Sequence, residues 1–306
     1  MKLTALRMAA FLLAGPVLVA IAADDLETAY QQLKDAQAKA DAVQVKKLAA
    51  EVHELACEAI ATPAPQSADE KEAWAAHVEN AKSADLFSEY SLFATAIQSQ
   101  PATLVDLVST LEQQNPKSKY LDEAYGYYLA ALVKTGAGAK VTGIAEKALP
   151  NFPENEDLLL LMTTTAMSRK QSDRALNYAN RLITALNKHS KPEGMSAADW
   201  ERKKNLALAQ GYWTAGVISG EKGQYMVADK DLRAALPLIK GNDAMMGPAL
   251  FFLGMANYQL GKMTMAKARV AEGAKFSEQA ALIQGPYMDQ ARHNALVMKA
   301  EADRMR

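Results

Sequence analysis

The chain has 306 residues, of which 50% are hydrophobic and 7% aromatic, so it can bury a large core built mainly from aliphatic and alanine side chains. Its formal net charge is −1, and the loss of Lys2 and Arg7 with an N-terminal signal would leave 32 basic residues against 35 acidic ones. Such a balance lacks the dense positive charge of nucleic-acid-binding proteins, so nucleic acid is not expected as a partner.

Residues 1–22 have the layout of a secretory signal peptide. Lys2 and Arg7 provide a positive start, an apolar run follows, and Ala20-Ile21-Ala22 forms an A-x-A cleavage site. The apolar run is shorter than the roughly 20 residues that a membrane-spanning helix needs. We expect cleavage near Ala23, a periplasmic or secreted mature protein and no integral membrane segment after cleavage. The alternative is an uncleaved anchor.

The single cysteine, Cys57, limits the ways in which the mature chain can be held together. One cysteine cannot form an internal disulfide, so the stability of an exported chain must come from packing. Cys57 does not directly follow the signal region, so it is not the acylated cysteine of a lipoprotein.

Residues 23–84 are expected to form divergent N-terminal helices. The stretch from Asp24 to Ala61 indicates two helices, and apolar residues at helical spacing form one stripe on the second. Proline at 63 and 65 ends that helix. Ser67 and Glu70 then predict a capping box for the next helix.

Residues 85–285 carry an internal repeat, which is clearest between Ala209 and Ser277. Four small residues recur there at spacings of seven, five and seven: Gly216, Gly223, Ala228 and Ala235 in the first copy, and Gly254, Gly261, Ala266 and Gly273 in the second. Small residues allow two antiparallel helices to approach closely, and a glycine between them can form the turn. We therefore expect Gly223 and Gly261 to form turns, and Ala228 and Ala266 to lie at helix crossings.

Earlier units follow the same spacing with other residues. Leu129 and Thr163 are 34 residues apart, and Lys170 and Ser99 stand in place of the turn glycine in two units. The segments YGYYLAALVKTGAGAKVTGIAEKALPNFPEN and LFFLGMANYQLGKMTMAKARVAEGAKF resemble units of the tetratricopeptide repeat family. The resemblance implies an all-α, right-handed superhelix (an α-α solenoid) over 85–285, with 286–306 as a C-terminal capping helix.

An insertion of about 19 residues precedes the next unit, whose first helix is expected to run from Ala197, after a Ser196–Asp199 cap, to Glu221. In the resembling family the first helices line a concave groove. The groove positions of this chain would be Trp213, Val217, Phe251, Met255 and Tyr258. A peptide or a helix of a protein partner is the ligand that such a groove implies. The alternative is that these side chains pack between repeats.

His53 and Cys57 are the only residues whose spacing suggests chemistry. They stand four apart, in a pattern that resembles the zincin H-E-x-x-H with cysteine for the second histidine, so both can face one side of a helix. A metal would need further ligands, and a cysteine nucleophile would need an orienting group. We expect no catalytic residue, no metal and no cofactor.

Together these patterns predict a protein–protein interaction scaffold or assembly adaptor of the bacterial periplasm or envelope, and not an enzyme. Two alternatives stay open. The first is a self-associating structural protein of the envelope, and the second is a metal- or thiol-dependent enzyme that uses His53 and Cys57.

Overall fold

The computed structural model describes residues 15–192 and 194–305, and within that part of the chain all regular structure is helical. The expected all-α class is therefore confirmed for the described residues. The helices are α1 (Gly15–Ala38), α2 (Ala42–Ala61), α3 (Ala68–Ala96), α4 (Pro101–Gln114), α5 (Lys119–Lys134), α6 (Val141–Ala148), α7 (Glu156–Ser168), α8 (Ser172–Lys188), α9 (Ala197–Glu221), α10 (Tyr225–Ala235), α11 (Asp243–Met263), α12 (Lys267–Ala280) and α13 (Met288–Arg304), with a 3-10 turn at Gly138–Lys140.

The expected signal peptide, 1–22, lies largely outside the described residues, which begin within it at Gly15. Helix α1 runs through the expected cleavage point. Among the described helices, none combines the length and the apolar character that crossing a bilayer requires.

The helices divide between two compact units, residues 1–141 and residues 142–306. In the first unit, α1 to α5 each pack on the next helix along the chain, and in the second unit α7 to α13 do the same. Odd-numbered helices also contact the next odd-numbered helix within each unit. This is the packing of adjacent helix pairs. The domain limits expected from the sequence at residues 85 and 286 stay predictions.

Local capping sets several helix starts. Ser196 accepts a hydrogen bond from Asp199 N at 3.1 Å, and its hydroxyl donates to the Asp199 carboxylate at 2.7 Å. This is the predicted cap, and α9 has the predicted limits. The capping box predicted for Ser67 and Glu70 is wrong, because the Ser67 side chain makes no cap bond. At that end, Lys71 N donates to the Ser67 carbonyl oxygen at 3.2 Å instead.

Five connections between paired helices share one turn. In each, a residue with positive φ ends the first helix, and the next N–H donates to the carbonyl five residues earlier at 2.8–3.0 Å, which is the Schellman motif. The residues with positive φ are Ala40, Gly136, Lys170, Gly223 and Met265. The turn predicted at Gly223 is thus confirmed, and Lys170, which stands in place of a turn glycine, forms the same turn. Ser99 does not adopt this conformation.

The turn predicted at Gly261 is wrong. Gly261 lies inside α11, and the residue of positive φ is Met265, at 54°. The second copy is therefore displaced by four residues, or one helical turn. Five residues after the turn, Ala228 in the first copy corresponds to the fully buried Val270, while Ala266 is the partly exposed N-cap of α12.

A buried polar network joins the second helix pair to its predecessor. Asn257 on α11 is fully buried, and its amide donates to an Asp229 carboxylate oxygen on α10 at 2.6 Å. Arg233 Nε donates to the same carboxylate at 2.8 Å, and its guanidinium also contacts Glu272 on α12 at 2.9 Å. Because the buried Asp229 carboxylate accepts from both Asn257 and Arg233, the network helps to fix how α10, α11 and α12 align.

Helix α13 ends the second unit. Ala291, Ala295 and Met298 are buried on one face of the helix, and Arg292 and Lys299 are exposed. The helix packs on α12 and also contacts α11. It therefore covers the first helix of the last pair as well as the second.

Candidate functional site

The five predicted groove residues lie on α9 and α11, and four of them pack in or against the core of the second unit. Val217 and Phe251 are 4% and 5% exposed and belong to the core of the second unit. Trp213 and Met255 are partly buried against that core. Val217 and Phe251 therefore pack between helices, which is the alternative to a groove position.

The C-terminal segment covers much of this predicted groove. Phe251 stacks on the ring of Tyr287 with centroids 4.6 Å apart. The Tyr258 hydroxyl donates to Glu301 of α13 at 2.5 Å, and Asn294 of α13 donates to the Met255 sulfur at 3.3 Å. The sequence pattern gave α13 the role of a cap at the array end and did not indicate that it lies along α11. A partner role for Trp213, Met255 and Tyr258 stays a prediction.

A series of aromatic rings crosses the first unit and was missed by the sequence analysis. We call Tyr30, Phe87, Tyr90 and Tyr120 the aromatic strip; they lie on α1, α3 and α5. Successive ring centroids are 5.3, 6.1 and 5.6 Å apart. Tyr90 is 39% exposed, and the other three are partly exposed. The buried Phe93 stacks beneath Tyr120 at 5.7 Å and supports that end of the strip.

Both ends of the aromatic strip carry a lysine. Lys34 Nζ lies 4.0 Å from the ring centroid of Tyr30, and Lys119 Nζ lies 5.0 Å from that of Tyr120. These distances are those of cation–π contacts. The four rings come from the first helices of successive pairs, which is a pattern that the sequence contains. The pattern can be recognised only when the order of these helices in space is known.

A second group in the first unit contains the two residues singled out for chemistry. His53 and Cys57 lie on α2, with the Cys57 sulfur 3.9 Å from Nδ1 and 3.8 Å from Nε2 of the imidazole. Asp85 on α3 completes the group, its carboxylate 2.7 Å from His53 Nδ1. The side chains of His53 and Asp85 are 25% and 23% exposed, and Cys57 is exposed. Nothing in the sequence spacing predicted Asp85 there.

The surroundings of Cys57 raise the pKa of its thiol. Partial burial and the negative charge of Asp85 both raise the pKa of the Cys57 thiol above its usual value. The thiolate is the nucleophilic form of cysteine, so a raised pKa leaves less of it at neutral pH. Activated cysteines have a lowered pKa, and this arrangement therefore disfavours the thiol-dependent alternative.

The paired helices, the aromatic strip and the histidine–cysteine–aspartate group are the features that a relative would be expected to share. No protein-family model matches the chain, and a search of curated proteins likewise finds no match.

Proposed function

We propose that this chain is a protein-binding scaffold or assembly adaptor of the bacterial periplasm or envelope, built as a right-handed tetratricopeptide superhelix. The packing of adjacent helix pairs and the recurring Schellman turn support that architecture. The signal-like composition of residues 1–22 supports export. Function in such arrays follows from the surface that the helices present, because the fold alone fixes no ligand.

The observation that carries the proposal is the aromatic strip. Three first helices place four rings side by side, with the ring of Tyr90 39% exposed. Contiguous apolar surface on a protein usually marks a partner site. Tyrosines also rank among the residues that dominate binding energy at interfaces.

The chemistry of the strip favours an extended peptide as its ligand. At about 3.3 Å per residue, roughly five extended residues match three successive ring separations of 5.3, 6.1 and 5.6 Å. Proline and aromatic side chains pack well on such rings. Lys34 and Lys119 lie at opposite ends, so acidic residues at both ends of the peptide would be attracted to them.

The test is a selection from a displayed library of eight-residue peptides on the full mature chain. We expect enrichment of peptides with proline or aromatic centres and acidic ends. Tyr90→Ala should weaken the best peptide by about thirtyfold, the equivalent of roughly 2 kcal/mol for a dominant contact. Tyr127→Ala, which alters a half-exposed ring on α5 outside the strip, is the matched control and should change little.

Two other results would redirect the proposal. If Trp213→Ala and Tyr258→Ala abolish peptide binding while Tyr90→Ala does not, the binding surface lies in the second unit. If no peptide is selected, and light scattering finds a mass that rises with concentration and falls in Tyr90→Ala, the strip serves self-association.

A further inference from the structure

Three side chains of different ligand types meet on the first unit. His53, Cys57 and Asp85 offer a ring nitrogen, a sulfur and a carboxylate oxygen that all lie within 4.8 Å of one another. Zinc is bound in proteins by these three atom types, whereas magnesium and calcium favour oxygen ligands alone. The mixed set therefore points to a transition-type ion.

The backbone under this group is fixed by packing. Val52 and Ala56, each beside one of the two ligands of α2, are fully buried, and Ala84 beside Asp85 is 4% exposed. Helices α2 and α3 pack directly on each other. Ligands carried by rigid, packed helices are held near their binding geometry before the ion arrives.

The sulfur–nitrogen distances lie close to those of a tetrahedral site. With zinc–sulfur and zinc–nitrogen bonds of about 2.3 and 2.0 Å, the sulfur and nitrogen ligands are roughly 3.5 Å apart. The observed separations are 3.8 and 3.9 Å. The nitrogen–oxygen distance of 2.7 Å is that of a hydrogen bond and must widen by roughly 0.6 Å when both atoms bind the ion. The three ligand atoms all lie within 4.8 Å of one another, so side-chain rotations rather than helix movements are needed to close the site.

We propose that His53, Cys57 and Asp85 bind one zinc ion, with the fourth coordination position open to water or to a donor from a bound partner. As the sulfur–zinc bond forms, the Cys57 thiol releases its proton to solvent. The ion would replace the direct contact between His53 and Asp85. This site is independent of the aromatic strip, so either proposal can fail alone.

The first test is zinc titration of the full mature chain in competition with a chromogenic chelator. We expect saturation at one zinc ion per chain. Cys57→Ser, His53→Gln and Asp85→Asn should each weaken binding at least about tenfold, by analogy with changes around known zinc sites. His293→Gln, an exposed histidine on α13, is the control and should leave the affinity unchanged.

Cobalt(II) in place of zinc gives a second readout that does not depend on affinity. A thiolate ligand produces a near-ultraviolet charge-transfer band, and tetrahedral geometry produces strong visible bands. Both should appear in the parent chain and in His293→Gln, and the charge-transfer band should vanish in Cys57→Ser. Absence of that band in the parent chain, or equal zinc binding by all variants, would overturn the proposal and leave His53 and Asp85 as a surface ion pair.

Discussion

The helix pairs α9–α10 and α11–α12 use glycine for different purposes at the same sequence spacing. In the first pair, Gly223 adopts a φ of +71° and forms the turn. In the second, Gly261 stays helical, and Met265 forms the turn with a φ of 54°. The same spacing of small residues can therefore specify a turn or a close approach, and spacing alone does not distinguish them.

The close approach itself also differs between the pairs. A Cβ on Gly216 would meet the Leu232 side chain at 2.5 Å. A Cβ on Gly273 would meet the backbone of α11, at 2.8 Å from Gly254 O and 2.9 Å from Tyr258 N. The fully buried Leu232 could relieve its contact only by repacking, whereas the contacts of Gly273 are with helix backbone, so the second pair should tolerate less change.

The largest effect is expected for Gly273→Ala. The new methyl group would press against fixed backbone atoms, which places the loss near 3 kcal/mol, the upper end of the usual cost of overpacking. Urea unfolding of the full chain measures it. Gly143→Ala on α6 is the control, because nothing lies within 4 Å of that position, and alanine there should be neutral or stabilising. Similar midpoints for the two variants would mean that the close contact is not real.

A smaller loss is expected for Ala228→Leu. Ala228 is fully buried, so a leucine should cost about 2 kcal/mol through overpacking. Ala266→Leu should cost little, because Ala266 is a partly exposed N-cap. Melting temperatures compare the two, with Ala198→Leu on an exposed face of α9 as control. Equal losses at 228 and 266 would restore the equivalence that the sequence spacing predicted.

Replacing the turn residue of the first pair should lower the stability of the protein, whereas replacing that of the second pair should raise it. Gly223→Ala places a Cβ in the left-handed region and should cost about 1 kcal/mol. Chemical unfolding would detect this loss. A Gly241→Ala variant, at another positive φ of +85° with nothing within 4 Å, tests whether the cost arises from backbone conformation alone. An unchanged stability in both variants would contradict this account.

Met265→Gly should give the smallest change, a gain of about 0.5 kcal/mol. Glycine relieves the left-handed strain of roughly 1–2 kcal/mol, and its greater freedom in the unfolded chain offsets part of that gain. Because Met265 is 79% exposed, the substitution removes few contacts. A loss of stability measured by thermal unfolding would indicate that the Met265 side chain makes a contact of its own.

Features set by neighbouring residues could be predicted from the sequence. The start of α9 follows from Ser196 and Asp199, whose side chains satisfy the free N–H groups of the first turn. The buried face of α13 follows from helical periodicity at Ala291, Ala295 and Met298. Such features depend on a few consecutive residues, although a similar local pattern failed at Ser67, whose side chain makes no cap bond.

Features that depend on the alignment between helices could not be predicted from the sequence. Asp85 reaches His53 because of the register between α2 and α3, which no local pattern fixes. Phe251 is buried because Tyr287 lies over it, a contact between residues 36 positions apart in the chain. The groove residues follow from family resemblance. That resemblance does not indicate that α13 lies along α11.

The position of α13 has a consequence for the order in which the chain can fold during synthesis. Phe251, Met255 and Tyr258 all take contacts from residues between 287 and 301. The second unit therefore cannot complete its core until the end of the chain has been made. A ribosome that stalls before codon 287 would release a chain in which the apolar face of α11 that Tyr287 covers is left exposed.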